Sequence, residues 1–181
     1  MGKFLKIAIF VILFLFLFFP SQLHSGYIYY KVQSKHEYYE NTLNIDIDIL
    51  VDALCYNETG YLPEEERIIA RSYKNAIGYC QILPGTARDL LFGHEHVSDN
   101  ALEGFLKNKA ISILLSELMI YKCIEKNKNT VYKIAYCYNG GPSRPYGIPG
   151  INWYAKRVTK TYNEYIAESK QNNKKAIVSR F

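Results

Sequence analysis

The stretch "NIDIDILVDALCYNETGY", residues 44–61, decides the fold because it carries the clearest helical pattern of this 181-residue chain. Its apolar residues recur at the three- and four-residue spacing of one helix face: Ile47, Leu50, Val51 and Leu54. Asp46 or Asp48 can cap the N-terminus of such a helix. The alternating isoleucines at 45–49 are also typical of a strand, so the start of the helix stays ambiguous.

The C-terminal end of this predicted helix carries an acid on its apolar face. One turn beyond Leu54 the apolar stripe reaches Glu58, and Gly60 and Pro63 then stop the helix at Glu58 or Thr59. Burial disfavours the ionised form of a carboxyl group, and the negative end of the helix dipole acts in the same direction. Both effects raise the pKa, which makes Glu58 a candidate general acid. The competing interpretation is a glutamate at the rim that points into solvent.

The rest of the chain also shows helical rather than strand periodicity. A helix is predicted after Pro84, one long helix over residues 99–127, a shorter helix from Thr130, and a last amphipathic helix from Trp153. The apolar face predicted for the long helix consists of Leu106, Ala110, Ile113, Leu114, Leu118 and Tyr121. The sequence has no internal repeat and no series of alternating strands. The predicted fold class is therefore mostly α, with one domain.

The two ends of the chain differ in composition from its middle. Residues 1–25 combine two lysines, an unbroken apolar run and Pro20, which is the layout of a signal peptide or a membrane anchor. Residues 26–42 lead into the domain, and residues 166–181 form a basic C-terminal tail of a chain whose net charge is +5. We expect an exported protein of the periplasm or cell envelope, either released or anchored in the inner membrane.

Four cysteines, an even number in a chain expected to be exported, permit one or two disulfides. They are Cys55, Cys80, Cys123 and Cys137. Because two of them fall within apolar helical patterns, buried free thiols are an equal alternative. Their spacing matches no zinc site, and the "HEH" at 94–96 has no third ligand near it in the sequence. We expect neither a metal nor a cofactor.

Three motifs in order resemble those of the soluble-type lytic transglycosylases (the SLT domain), relatives of goose-type lysozyme. "NETGY" at 57–61 is similar to that family's Glu-Ser motif, and "SYKNAIGYCQILPGTA" at 72–87 is similar to its Gly-Leu-Met-Gln motif. "AYCYNGGP" at 135–142 is similar to Ala-Tyr-Asn-Ala-Gly-Pro, and "NWYAKRV" at 152–158 resembles the helix that follows. The resemblance covers residues 43–162.

The chain also departs from the family pattern. Thr59 stands where the family usually has Ser, Asn75 where it has Gly, and Tyr79–Cys80 where it has Leu–Met. These changes keep the acid, and they lead us to expect a groove of different shape.

The resemblance implies a lysozyme-like domain at 43–165 that cleaves the β-1,4 bond between N-acetylmuramic acid (MurNAc) and N-acetylglucosamine (GlcNAc) in peptidoglycan. Glu58 would protonate the leaving oxygen and then take the proton of the C6 hydroxyl, which leaves a 1,6-anhydroMurNAc end. Tyr138 would orient Glu58 through a hydrogen bond. The substrate-binding residues that the resemblance implies are Thr59, Ser72, Gly78, Tyr79, Gln81, Tyr138 and Asn139.

Two other functions stay open at this point. One is a hydrolytic muramidase, in which water replaces the C6 hydroxyl, and the other is a non-catalytic peptidoglycan-binding assembly factor. The expected partners are peptidoglycan glycan strands, a secretion, conjugation or phage machinery that the class implies, and a membrane reached through the N-terminal segment. Nucleic acid is not expected.

Overall fold

The computed structural model of the chain describes residues 34–92 and 97–178, with side chains described up to residue 172. The chain divides into two compact units, residues 1–38 and 39–181, and the helices named below belong to the second. The predicted signal peptide or anchor at 1–25 and the "HEH" at 94–96 lie outside the described residues. Within the described ranges, no helix combines the length and the apolar composition needed to cross a membrane.

The described residues are mostly helical, as predicted. Residues 34–43 are helical, and seven further helices follow: α1 (Ile47–Thr59), α2 (Glu64–Arg67), α3 (Pro84–Leu91), α4 (Asp99–Leu106), α5 (Lys109–Ile124), α6 (Val131–Gly140) and α7 (Pro149–Val178). The described β-structure consists of isolated bridges that pair Ile77 with Arg71 and with Ile82.

Helix α1 forms the centre of the second unit and confirms the pattern read from residues 44–61. The Asp46 carboxylate caps it by accepting a hydrogen bond of 2.9 Å from the backbone N–H of Ile49. Its apolar face is buried and packs against α7 and α5. The helix ends at Gly60, whose N–H donates to the Tyr56 carbonyl oxygen over 2.7 Å. Gly60 has a right-handed backbone, and a side chain there would collide with Tyr56.

The prediction of one long helix over residues 99–127 is wrong. The structure has two helices there, α4 and α5, and the side chain of Asn108 caps α5 by accepting a hydrogen bond of 3.1 Å from the Ile111 N–H. Asparagine favours such a cap because its short amide competes with the backbone inside a helix.

The apolar face predicted for that segment is also partly wrong. Leu106 and Tyr121 are buried, but Ala110 is exposed. Two serines, Ser112 and Ser116, are instead buried on α5 together with Leu115, Met119, Ile120 and Cys123. Buried hydroxyls cost little when they are hydrogen-bonded, and both serines are bonded. The hydrophobic pattern alone could not reveal this face.

Two disulfides resolve the alternatives left open by the cysteine pattern. Cys55 on α1 is bonded to Cys80, and Cys123 on α5 is bonded to Cys137 on α6. They close loops with sequence separations of 25 and 14 residues. Constraining loops of this length in the unfolded chain stabilises the fold by on the order of 3 kcal/mol per disulfide.

Helix α7 packs on both α6 and α1 through a buried face that consists of Tyr154, Ala155, Val158, Thr161 and Tyr162. The predicted boundary at residue 165 falls inside this helix, because α7 continues without a break to Val178. The described side chains at 167–172 are exposed. The predicted tail from 166 therefore begins as the solvated end of a long helix.

Candidate active site

Glu58 lies on an open groove between the C-terminal end of α1, the loop that precedes α3, and the C-terminal end of α6. The groove has a volume of about 240 Å³. Its lining includes five of the residues that the sequence singled out, namely Glu58, Ser72, Gln81, Tyr138 and Asn139. The remaining lining residues are Tyr73, Lys74, Ala76, Ile82, Leu83, Thr86 and Met119. Groups from four separate parts of the sequence are thus brought together.

The carboxyl group of Glu58 has the electrostatic character expected of a general acid. Burial raises its pKa to about 7, which outweighs the lowering effects of the Tyr154 hydroxyl and the Arg157 guanidinium. The side chain is nevertheless partly accessible, because it lines the groove. A carboxyl with a pKa near neutrality can donate a proton and take one back at similar pH.

Tyr138 lies beside Glu58, but its hydroxyl is held by other partners. The phenolic oxygen is 2.9 Å from Ser116 Oγ and 3.2 Å from the Cys80 carbonyl oxygen. The predicted hydrogen bond from Tyr138 to Glu58 does not form, since the hydroxyl is engaged by these two groups. Burial and the nearby charge of Glu58 both raise the pKa of Tyr138. Tyr138 therefore stays protonated, as a fixed wall of the groove.

Tyr154 is the phenol that contacts Glu58 most closely. Its hydroxyl lowers the pKa of the Glu58 carboxyl, while burial and the Glu58 charge raise the pKa of Tyr154 itself. Among the described residues, no group forms a well-aligned hydrogen bond with this buried oxygen. The Tyr154 hydroxyl therefore influences the Glu58 carboxyl without a well-aligned hydrogen bond to it.

Arg157 connects α7 to the residue that precedes the acid. Its Nε donates to Asn57 Oδ1 over 3.0 Å, and its Nη2 donates to the Asn57 carbonyl oxygen over 2.7 Å. The Asn57 amide in turn donates to Thr161 Oγ1 over 3.0 Å. The guanidinium also lies 4.3 Å from the ring centre of the exposed Trp153. These contacts fix the last turn of α1.

Three of the predicted substrate contacts, Thr59, Tyr79 and Gly78, do not line the groove. Thr59 is buried, and its hydroxyl donates to the Tyr79 carbonyl oxygen over 2.6 Å and accepts a bond of 3.0 Å from Arg67 Nε. The Tyr79 ring lies between Arg67 and Lys109, at 3.7 and 4.8 Å from their charged groups. These residues stabilise the C-terminal end of α1 and do not form part of the groove surface.

Gly78 serves close packing inside the protein. Its φ of +82° lies in the left-handed region, and a Cβ there would overlap with the carbonyl oxygen of Leu106. Gly78, which the resemblance places among the substrate contacts, thus packs closely against α4 instead. Asn75 and Gln81 in the same loop also have positive φ values, 66° and 51°.

Three polar residues that line the groove together with Glu58 differ in what they can offer a ligand. The Gln81 amide nitrogen donates to the carbonyl oxygens of Ala70 and Gly78 over 3.1 and 3.0 Å, which leaves the amide oxygen as an acceptor. The Ser72 hydroxyl accepts a bond of 3.0 Å from the Ala76 N–H and keeps its own proton to donate. Asn139 is exposed at the groove. The groove therefore offers a ligand both hydrogen-bond donors and hydrogen-bond acceptors.

Comparison with protein-family models, curated proteins and solved structures found no match to this chain. In the described part of the chain, no cluster of three or more histidine, cysteine, aspartate or glutamate side chains has the arrangement needed to hold a metal ion. Of the residues that form the site, sequence reasoning missed Ser112, Ser116, Tyr154 and Arg157. Tyr154 and Arg157 both lie in the "NWYAKRV" motif, which was a usable signal, whereas the two serines carried none.

Proposed function

We propose that this protein is a peptidoglycan lytic transglycosylase with a lysozyme-like fold. The observation that carries the proposal is the Glu58 carboxyl, whose pKa burial raises to about 7 and which lies on an open groove lined by hydroxyl and amide groups. Glu58, Gln81, Tyr138 and Asn139 come from the three motifs that resemble the family, and they meet at this groove. A glycan strand is the ligand that fits both facts.

The proposed reaction uses Glu58 twice. Protonated Glu58 donates its proton to the glycosidic oxygen, so the bond from that oxygen to C1 of MurNAc breaks and an oxocarbenium-like state develops. The N-acetyl group of the same sugar stabilises C1. Ionised Glu58 then removes the proton of the C6 hydroxyl, whose oxygen bonds to C1 and closes the 1,6-anhydro ring. A pKa near 7 suits both steps, because neither protonation state is costly near neutrality.

A single carboxyl group in the groove supports this mechanism over the alternatives with two carboxylates. Glu58 is the only acid that lines the groove among the described residues. Most glycoside hydrolases place a second carboxylate within about 10 Å of the acid, as nucleophile or as base for water. Substrate-assisted cleavage needs one acid only. The alternative is a hydrolytic muramidase, which would release reducing sugar ends instead of 1,6-anhydroMurNAc ends.

The two disulfides support the proposal of an exported protein. Structural disulfides persist in oxidising compartments such as the periplasm and the cell exterior. We propose a location in the periplasm or cell envelope, where peptidoglycan is found and where a secretion, conjugation or phage machinery would need a local opening in the wall. Export through residues 1–25 can be tested by sequencing the N-terminus of the mature protein.

The proposal is tested by digesting purified sacculi with the wild type and with Glu58→Gln, then identifying the muropeptides by mass spectrometry. The amide cannot donate the proton, so we expect 1,6-anhydroMurNAc ends from the wild type and a loss of about 10²- to 10⁴-fold in rate for the variant. Glu65→Gln, an exposed position on α2, is the matched control and should cleave like the wild type. Reducing ends would show a muramidase, and binding without any release of muropeptides would show an assembly factor.

A further inference from the structure

The turn at residues 72–76 is a rigid projection at the edge of the groove. The Ser72 N–H donates to the Ala76 carbonyl oxygen over 2.9 Å, and the Asn75 N–H donates to the Ser72 carbonyl oxygen over 2.9 Å. The side chain of Arg71 bonds to Asn75 Oδ1 and forms an ion pair with Glu103 on α4. The turn is therefore held on both sides before any ligand arrives.

The two residues at the tip of this turn, Tyr73 and Lys74, both line the groove. Tyr73 is 92% exposed, the highest value among the large hydrophobic side chains in the described part of the chain. The Lys74 ammonium lies 5.5 Å from the centre of the Tyr73 ring. An aromatic face and a cation thus stand together at the edge of the groove. Neither contributes to the core of the protein.

Lys74 is the charge that the groove leaves uncompensated. No described ion pair includes it, whereas the nearby Arg71 in the same segment is paired with Glu103. Glu58 is the one acid on the described lining, and burial keeps it largely protonated below neutral pH. The groove therefore presents a net positive charge at its tip, and an anionic group of the ligand would complete it.

We propose that Tyr73 and Lys74 form a rim subsite that selects glycan by a carboxylate carried on the muramoyl residue. This inference rests on the proposed function and specifies its substrate. The carboxylate can come from the lactyl group of a peptide-free strand or from a stem peptide, and both place an anion beside the sugar ring. Lys74 provides the charge attraction, and the Tyr73 face stacks on the sugar whether or not a carboxylate is present.

The inference is tested by binding, with the full-length chain in a Glu58→Gln background so that no ligand is cleaved. The ligands are a GlcNAc–MurNAc tetrasaccharide with stem peptides, the same tetrasaccharide after an amidase has removed the peptides, and chitotetraose, which has no carboxylate. We expect the carboxylated ligands to bind more tightly than chitotetraose. The stronger of those two identifies the source of the carboxylate.

Replacing Lys74 should remove this preference and leave neutral binding intact. We expect Lys74→Gln to weaken the binding of the carboxylated ligands about 1.5- to 5-fold, since an exposed ion pair contributes this much to affinity. The affinity for chitotetraose should be unchanged. Lys74→Arg should keep the preference. Tyr73→Ala should weaken all three ligands about 2- to 10-fold. Lys133→Gln on α6 is the matched control for charge, because Lys133 is exposed and lies outside the groove lining.

The results that test the rim subsite are distinct from the results that test the proposed catalysis. Equal binding of the three ligands, an equal effect of Lys74→Gln on all of them, or no binding at all would overturn the rim subsite, even in an active enzyme. A preference that Lys74→Gln abolishes supports the subsite, even if the wild type releases no muropeptides and the proposed catalysis fails.

Discussion

The C-terminal ends of α1 and α6 are built alike and behave differently. Each carries a disulfide within one turn of a polar side chain on the groove: Cys55 precedes Glu58 by three residues, and Cys137 directly precedes Tyr138. The Tyr138 hydroxyl is engaged by Ser116 and by a backbone carbonyl. Glu58 instead has neighbours that adjust its pKa without an aligned hydrogen bond. The Tyr138 hydroxyl at the end of α6 is therefore fixed by hydrogen bonds, whereas the end of α1 presents an ionisable carboxyl group to the groove.

Removing the disulfides is the strongest test of this comparison. We expect the Cys55→Ala/Cys80→Ala and Cys123→Ala/Cys137→Ala pairs each to lower the free energy of unfolding by about 3 kcal/mol, measured by urea denaturation. The first pair should cost about 0.5 kcal/mol more, because its loop spans 25 residues rather than 14. A pair of substitutions that leaves stability unchanged would show that the corresponding end is held by packing alone.

The two phenols near Glu58 should respond in opposite ways to loss of their hydroxyl. Tyr138→Phe leaves the Cys80 carbonyl oxygen and Ser116 short of a partner, so we expect a loss of about 1–2 kcal/mol in the free energy of unfolding. Tyr154→Phe removes a buried oxygen without an aligned partner and should leave stability unchanged or higher. Denaturant titrations of both variants test this, and a larger loss for Tyr154→Phe would reverse the roles assigned to them.

The protonation of Glu58 should make stability depend on pH. Its pKa is about 7 in the folded chain and near 4.5 when unfolded, so between these values the folded state holds more protons. Stability contributed by the protonated carboxyl is complete below pH 4.5 and is lost as the pH rises through 7. The difference in unfolding free energy between Glu58→Gln and the wild type should therefore widen from pH 4.5 to 7. A constant difference over that range would place the carboxyl in solvent.

The smallest expected effect concerns the charge of Arg157. Since the guanidinium lowers the pKa of Glu58, Arg157→Met should raise that pKa and move the alkaline limb of the pH–rate profile to higher pH. Lys160→Met is the control, because Lys160 is on the same helix and pairs with Glu164 in solvent. Equal profiles for Arg157→Met and the wild type would limit Arg157 to its hydrogen bonds with Asn57.

Local sequence patterns were enough to predict that Glu58 and Tyr138 lie near the C-terminal ends of their helices. The apolar stripe of α1 leads directly to Glu58, and Tyr138 lies near the end of α6, the shorter helix predicted from Thr130. Both predictions depend on residues within one or two turns of each other. Helical periodicity also gave the mostly α class, which the structure confirms.

The errors arose where distant residues set the environment. Ser112 and Ser116 look like solvent-facing positions until the Cys80 N–H and the Tyr138 hydroxyl are seen to bond to them. Thr59 was expected at the substrate because it stands in the place of the Ser in the Glu-Ser motif, yet Arg67 and a backbone carbonyl engage its hydroxyl. Hydrogen-bond partners far apart in sequence leave no periodic signal, so these assignments needed coordinates.

The loop from Ser72 to Ile82 also bears on how this groove can evolve. Asn75, Gly78 and Gln81 all have left-handed backbones, which most side chains adopt only at a cost of about 1–2 kcal/mol. Tyr73 and Lys74 directly precede the first of these constrained positions and have ordinary backbones and exposed side chains. A mutant library aimed at new ligand preferences should randomise residues 73 and 74 and leave the three left-handed positions unchanged, since the loop can then vary its surface without losing its shape.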